Sequence, residues 1–108
     1  MAARVTAADF AAEVLQSELP VLADFYSDSC VPCKRLSPLL SRIETEYEGK
    51  LRVVKINVQY EPELVAQYNV QAAPTLLFFR GGEEINRIRG AVTKDALYAA
   101  INEEGFIQ

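Results

Sequence analysis

A chain of 108 residues, half of them hydrophobic and 24% charged, has room for one compact domain over residues 1–108 and too little length for two. Eleven basic residues against fifteen acidic ones leave a net charge of −4, with no basic run longer than Lys34-Arg35, which argues against nucleic acid as a partner. No stretch approaches the ~20 apolar residues that cross a bilayer, and Arg4, Asp9, Glu13 and Glu18 interrupt any apolar export signal, so no membrane is expected and the cytosol is the expected compartment.

The first predicted element is a helix: Thr6 can cap it, Asp9 suits its first turn, and Phe10, Val14 and Leu15 share a face. Pro20 leads into Val21-Leu22-Ala23-Asp24-Phe25-Tyr26, too short an apolar run for a helix and read as a buried strand. Residues 27–33 make a polar, Pro-containing turn. Leu36, Leu39, Leu40, Ile43 and Tyr47 then recur at helical spacing as far as Gly49. Pro38 is expected to kink that helix, because it offers no N–H to the turn before. Residues 52–58 read as the next strand, and Pro62 as the first turn of a short helix carrying Leu64, Val65 and Tyr68. After Pro74, residues 75–80 form a strand, Gly81-Gly82 turn the chain, and residues 85–89 alternate as its hairpin partner. Thr93 caps a last helix with Ala96, Leu97, Ala100 and Ile101 on one face. This order predicts an α/β chain: a mixed sheet with helices on both faces and a right-handed crossover through the long helix.

The two cysteines stand between a buried strand and a helix start, in Ser29-Cys30-Val31-Pro32-Cys33-Lys34. Unpaired N–H groups and the positive end of the helix dipole stabilise an anion there, and the thiolate is the attacking form of cysteine. Cys30, at the entrance, is the better nucleophile. Cys33, one turn on, shares its face and can reach back to close a disulfide. Pro32 is tolerated because first-turn N–H groups have no helical partner. Two blander readings stand beside this one. A structural zinc site wants four ligands, and two Cys with no His supply half of that unless a second subunit shares the site, so no metal is expected. Two cysteines can also simply pack as small apolar groups.

Asp24-Phe25-Tyr26, the Cys-x-Pro-Cys-Lys motif at 30–34, Ala73-Pro74-Thr75 and Gly90 together resemble the thioredoxin family, as does the order of elements from about residue 5 to residue 101. The resemblance implies the α/β thioredoxin fold, a central mixed sheet of about five strands flanked by four helices. It also implies a cis peptide bond before Pro74, facing the cysteines across a substrate groove formed by Ser29, Val31, Pro32, Ala73, Pro74 and Gly90. The implied activity is reduction of protein disulfides by dithiol exchange through Cys30 and Cys33, with no bound cofactor. The implied partners are disulfide-bearing client proteins and an electron donor, a flavin-containing thioredoxin reductase.

Asp24 has a physical account besides. In an apolar strand, desolvation disfavours its charge and raises its pKa, and a carboxyl near neutrality can take and return the proton of Cys33. The alternative is an Asp at a strand end bonding nearby backbone. Lys55 resembles the lysine that pairs with this acid, against the alternative of a solvent-facing lysine. Pro74 reads either as a plain strand-edge proline or as the cis residue that leaves the Ala73 backbone free for an extended substrate.

The departures from the family are Ser29 and Tyr26, where it carries Trp, and Val31, where it carries Gly; the chain has no Trp. Residues between the cysteines tune the reduction potential, and Ser29 removes a flat apolar contact beside the nucleophile, which bears on recognition by a reductase. The rival reading is a thioredoxin-fold binding or redox-regulatory module with little general reductase activity. A net oxidant or isomerase is disfavoured by the missing export signal.

Overall fold

The centre of the sheet is the run Val21–Tyr26 (β2), buried at every position. The computed structural model describes residues 2–108. Parallel to β2 on one side lies β3 (Arg52–Asn57), and beyond it the two-residue β1 (Ala3–Arg4). On its other side the antiparallel strands β4 (Thr75–Arg80) and β5 (Glu83–Arg89) follow, giving the five-stranded order β1-β3-β2-β4-β5. The helices are α1 (Val31–Glu46), α2 (Pro62–Gln67) and α3 (Lys94–Ile101), with a π-helical turn at Ala11–Leu15. This is the α/β thioredoxin fold, with a mixed sheet of five strands and four helices.

Period-two alternation divides the core into two layers. Val21, Ala23 and Phe25 of β2 pack with Val54, Ile56, Leu77 and Phe79 against Phe10, Val14 and Leu64. Leu22 packs with Val53, Leu76 and Phe78 against Leu36, Leu40 and Ile43 of α1 and Leu97 and Ile101 of α3. Each fully buried Leu, Ile or Phe among these contributes about 1.5–3 kcal/mol of transfer free energy. The same alternation puts Asp24 and Tyr26 on the α1 side with Leu22, and Lys55 there with Val53. Asp24 and Lys55 are register partners.

The strands Val21–Tyr26 and Thr75–Arg80 keep their expected bounds, β3 and β5 shift by a residue or two, and the starts of the first two helices shift further. The helix expected to follow Thr6 begins later and is a π turn over Ala11–Leu15, closed by the Gln16 N–H on the Ala11 carbonyl at 2.9 Å. Thr6 does not cap it: its hydroxyl donates to the Asp9 carboxylate at 3.0 Å. The long helix starts at Val31, inside the predicted turn, and runs through Pro38 to Glu46. Ala96 is exposed, because the core-facing stripe of α3 is Leu97, Ala100 and Ile101. On β5, Arg87 makes a bidentate pair with Glu84, Nε to Oε2 at 2.6 Å and Nη2 to Oε1 at 2.8 Å. Its Nη2 also donates to the Tyr68 carbonyl at 2.8 Å, tying β5 to the end of α2.

Thr93 caps α3 as expected, its Oγ1 accepting the Ala96 N–H at 3.1 Å. Thr93→Ala is expected to lower global stability by about 1 kcal/mol in urea unfolding, the usual worth of such a cap. No change would mean the helix end is held by Leu97 and Ile101 alone.

Candidate active site

The chain leaves β2 at Tyr26, crosses a short loop, and enters α1 with Cys30 as its N-cap, in extended backbone (φ −92°, ψ 111°). The Cys30 Sγ accepts the Cys33 N–H at 3.1 Å, so one of the orphan donors of the first turn points at sulfur. Pro32, in that first turn, costs no hydrogen bond. Cys30 and Cys33 are joined as a disulfide, with 5.2 Å between their Cα atoms. Cys33 is buried and Cys30 half-buried, so an incoming sulfur meets Cys30 first.

The opposite wall is the turn before β4. The Ala73–Pro74 bond is cis, and the Ala73 carbonyl lies 3.4 Å from the Cys30 Sγ. The Thr75 hydroxyl donates to the Ala72 carbonyl at 2.6 Å, and the Gly90 N–H to the Pro74 carbonyl at 2.9 Å. Gly90 holds φ +77° with nothing within 4 Å of a would-be Cβ, so its role is conformational and not steric. No described residue bonds the Ala73 N–H. Ala73, Pro74 and Gly90 thus come together with Cys30, while Ser29, Val31 and Pro32 are exposed at the lip, Val31 at 57%. Beyond Pro32, a groove of about 210 Å³ runs past Arg35, Leu39 and Val92.

Behind the disulfide, Asp24 is 1% exposed and its Oδ1 has no hydrogen-bond partner. It sits mid-strand, not at a strand end, and bonds no backbone. Burial pushes its carboxyl from 3.8 up to about 7, and the charge of Lys55 pulls back against that rise. Asp24, Cys33 and Lys55 line one cavity of about 140 Å³, room for a few waters at about 30 Å³ each. Lys55 is half-buried, its Nζ 4.4 Å from the centre of the Tyr26 ring, so the aromatic face holds the ammonium near the acid.

Two further polar residues brace this loop, and sequence reasoning passed over both. Asn57 is buried at the end of β3; its Nδ2 donates to the Asp28 carboxylate at 3.3 Å and its Oδ1 accepts the Gln59 N–H at 2.9 Å. An Asn closing an apolar strand signals a turn of this kind. Arg35, in the groove, carries no motif signal.

A helix-mouth disulfide with an ionisable buried acid behind it and a free peptide N–H before it defines an enzyme of thiol–disulfide exchange. The thioredoxin family profile matches residues 1–103. Thioredoxin 1 of Nostoc sp. is 43% identical over 96 residues, 89% of this chain and 90% of that one. Thioredoxin of Porphyra purpurea is 41% identical over 100 residues, 93% and 94% of the two chains. A chloroplastic M-type thioredoxin of Spinacia oleracea is 42% identical over 90 residues, 83% of this chain and 50% of that one. This chain belongs to the thioredoxin family and is a thiol–disulfide oxidoreductase, with disulfide-bearing proteins and a thioredoxin reductase as the partners that membership brings. No helix among the described residues is long and apolar enough to cross a membrane.

Proposed function

We propose that the chain reduces client disulfides in the cytosol, with Cys30 as nucleophile, Cys33 as resolving thiol and Asp24 as the proton acceptor behind it. The Cys30 thiolate attacks one sulfur of the client disulfide and expels the other as a thiolate. Cys33, losing its proton toward Asp24, attacks the Cys30 sulfur and releases the second client thiol. Two electrons pass to the client, and a flavin-containing reductase returns them to the Cys30–Cys33 disulfide. Lys55 stabilises the Asp24 carboxylate before it takes that proton and after it gives it up. Ser29, Val31, Pro32, Ala73, Pro74 and Gly90 seat the client chain, which adds a strand-like hydrogen bond at the Ala73 N–H. The observation carrying this reading is the half-exposed Cys30 sulfur facing Ala73, with buried Cys33 opening onto the cavity of Asp24.

Insulin reduction with dithiothreitol as donor tests the reading, and the wild type is expected to be active. Coupling to a generic thioredoxin reductase is expected to be poor, since exposed Val31 and small Ser29 stand where the family offers Gly and Trp. The double change Ser29→Trp with Val31→Gly should improve that coupling by about tenfold, about 1.4 kcal/mol from one aromatic contact. A wild type inactive even with dithiothreitol, and a double variant that recovers nothing, would favour a binding module instead.

A further inference from the structure

On the β1 side of Asp24, away from the groove, a second cavity of about 240 Å³ opens to the surface. The parallel register of β1 and β3 sets Arg4 directly opposite Lys55. Like charges in direct cross-strand positions repel, so this pairing lowers stability unless something answers it. Both side chains line the cavity, and no carboxylate does. The Arg4 side chain makes no hydrogen bond or ion pair with any described residue. Ser37 and Ser41, one turn apart on α1, add two hydroxyls that have no partner among the described residues. A chain of net charge −4 has therefore gathered two cations and two unpartnered hydroxyls around one cavity.

We propose that this cavity binds a small dianionic oxyanion, free phosphate or sulfate or the head of a small phosphate monoester, through Arg4, Lys55, Ser37 and Ser41. A guanidinium fork and an ammonium supply charge-assisted donors, and the hydroxyls complete a partial shell around a tetrahedral ligand. At about 30 Å³ per water the space exceeds an oxyanion alone, yet it falls below the ~300 Å³ at which pockets for larger ligands begin. Leu40 and Ala2 offer an apolar wall to a short organic tail.

The site borders the redox machinery, because Tyr26, Ser37 and Lys55 line this cavity and also the one shared by Asp24 and Cys33. The charged groups concerned are Arg4 on β1, Asp24 on β2, Lys55 on β3, Lys34 on α1 and Asp28 in the preceding loop. An anion on Lys55 offsets the charge that favours ionised Asp24. Ligand binding and protonation of Asp24 therefore support each other, by the reciprocity of linked equilibria.

The test is an NMR titration of the isotope-labelled oxidised protein with sodium sulfate, which keeps its charge across the pH range, against chloride at equal ionic strength. Saturable shifts are expected at the amides of Arg4, Ser37, Ser41 and Lys55, with a rise in the Asp24 titration midpoint at saturation. Arg4→Gln, at an exposed position, should weaken binding by at least about tenfold, and Ser41→Ala by a few-fold, as lost charged and neutral donors do. Methyl phosphate binding more tightly than inorganic phosphate assigns the site to a monoester; equal affinity assigns it to the free oxyanion. Shifts that do not saturate, that chloride reproduces, or that survive Arg4→Gln unchanged overturn the site. An Asp24 midpoint unmoved at saturation overturns the coupling.

Discussion

Cys33→Ser is expected to abolish multiple-turnover insulin reduction and to accumulate a mixed disulfide with the client on Cys30, visible as a mass adduct that dithiothreitol removes. Cys30→Ser should abolish turnover without any adduct. The asymmetry follows from burial. Cys30 is half-buried with its sulfur facing the Ala73 carbonyl, so a client sulfur reaches it along the groove, whereas Cys33 lies under the first turn of α1. A serine at 33 leaves the attacking thiol intact and removes only the group that would expel the client. Trapping by Cys30→Ser instead would reverse the two roles.

The second large effect is on stability and is read as a pH dependence. The folded Asp24 carboxyl titrates at about 7 against an ordinary value of 3.8. Between those values the unfolded chain has lost a proton that the native chain still holds. The native state binds more protons there, so stability falls as pH rises through that window. Below 3.8 both states are protonated and the penalty is absent; above about 7 both are ionised and it is complete. At about 1.36 kcal/mol per pKa unit, the rise is worth roughly 4 kcal/mol. Asp24→Asn keeps the side chain's shape and removes the charge. Its stability relative to wild type, from urea unfolding of the oxidised forms, should improve by roughly 4 kcal/mol between about pH 4 and about pH 8. The same change should slow release of the mixed disulfide by on the order of 10²-fold, as loss of a positioned base does. Identical pH dependence in the two proteins would sink the account of a strained, buried acid.

Local signals were legible in the sequence. A six-residue apolar run after Pro20 could only be a strand, and two cysteines three apart at a strand–helix junction carry their own geometry. The short first helix was not legible as a π turn, because five residues do not separate a period of 3.6 from one of 4.4. Neither was β1, whose two residues show no alternation and which exists only because β3 offers it an edge. Asn57 with Asp28, and Arg4 opposite Lys55, join positions far apart in the chain, and only the order of the strands brings them together. Ala96 shows the opposite failure. Its neighbour Leu97 defines the buried stripe, and a small apolar residue beside the stripe carries no periodic information of its own.

The two outer margins of the sheet also bear on how the protein behaves when crowded. A strand margin with free N–H and C=O groups invites a second copy to pair and seed aggregates. Here one margin is only two residues long, and the other, β5, carries Glu83, Glu84, Arg87 and Arg89 along its length. A slip in register at Phe78/Phe79 further bends the β4–β5 ribbon away from a flat template. A neighbouring copy approaching β5 would have to desolvate the Glu84–Arg87 pair. Self-association through β5 is thereby disfavoured, even though Ile85 lies exposed on that strand.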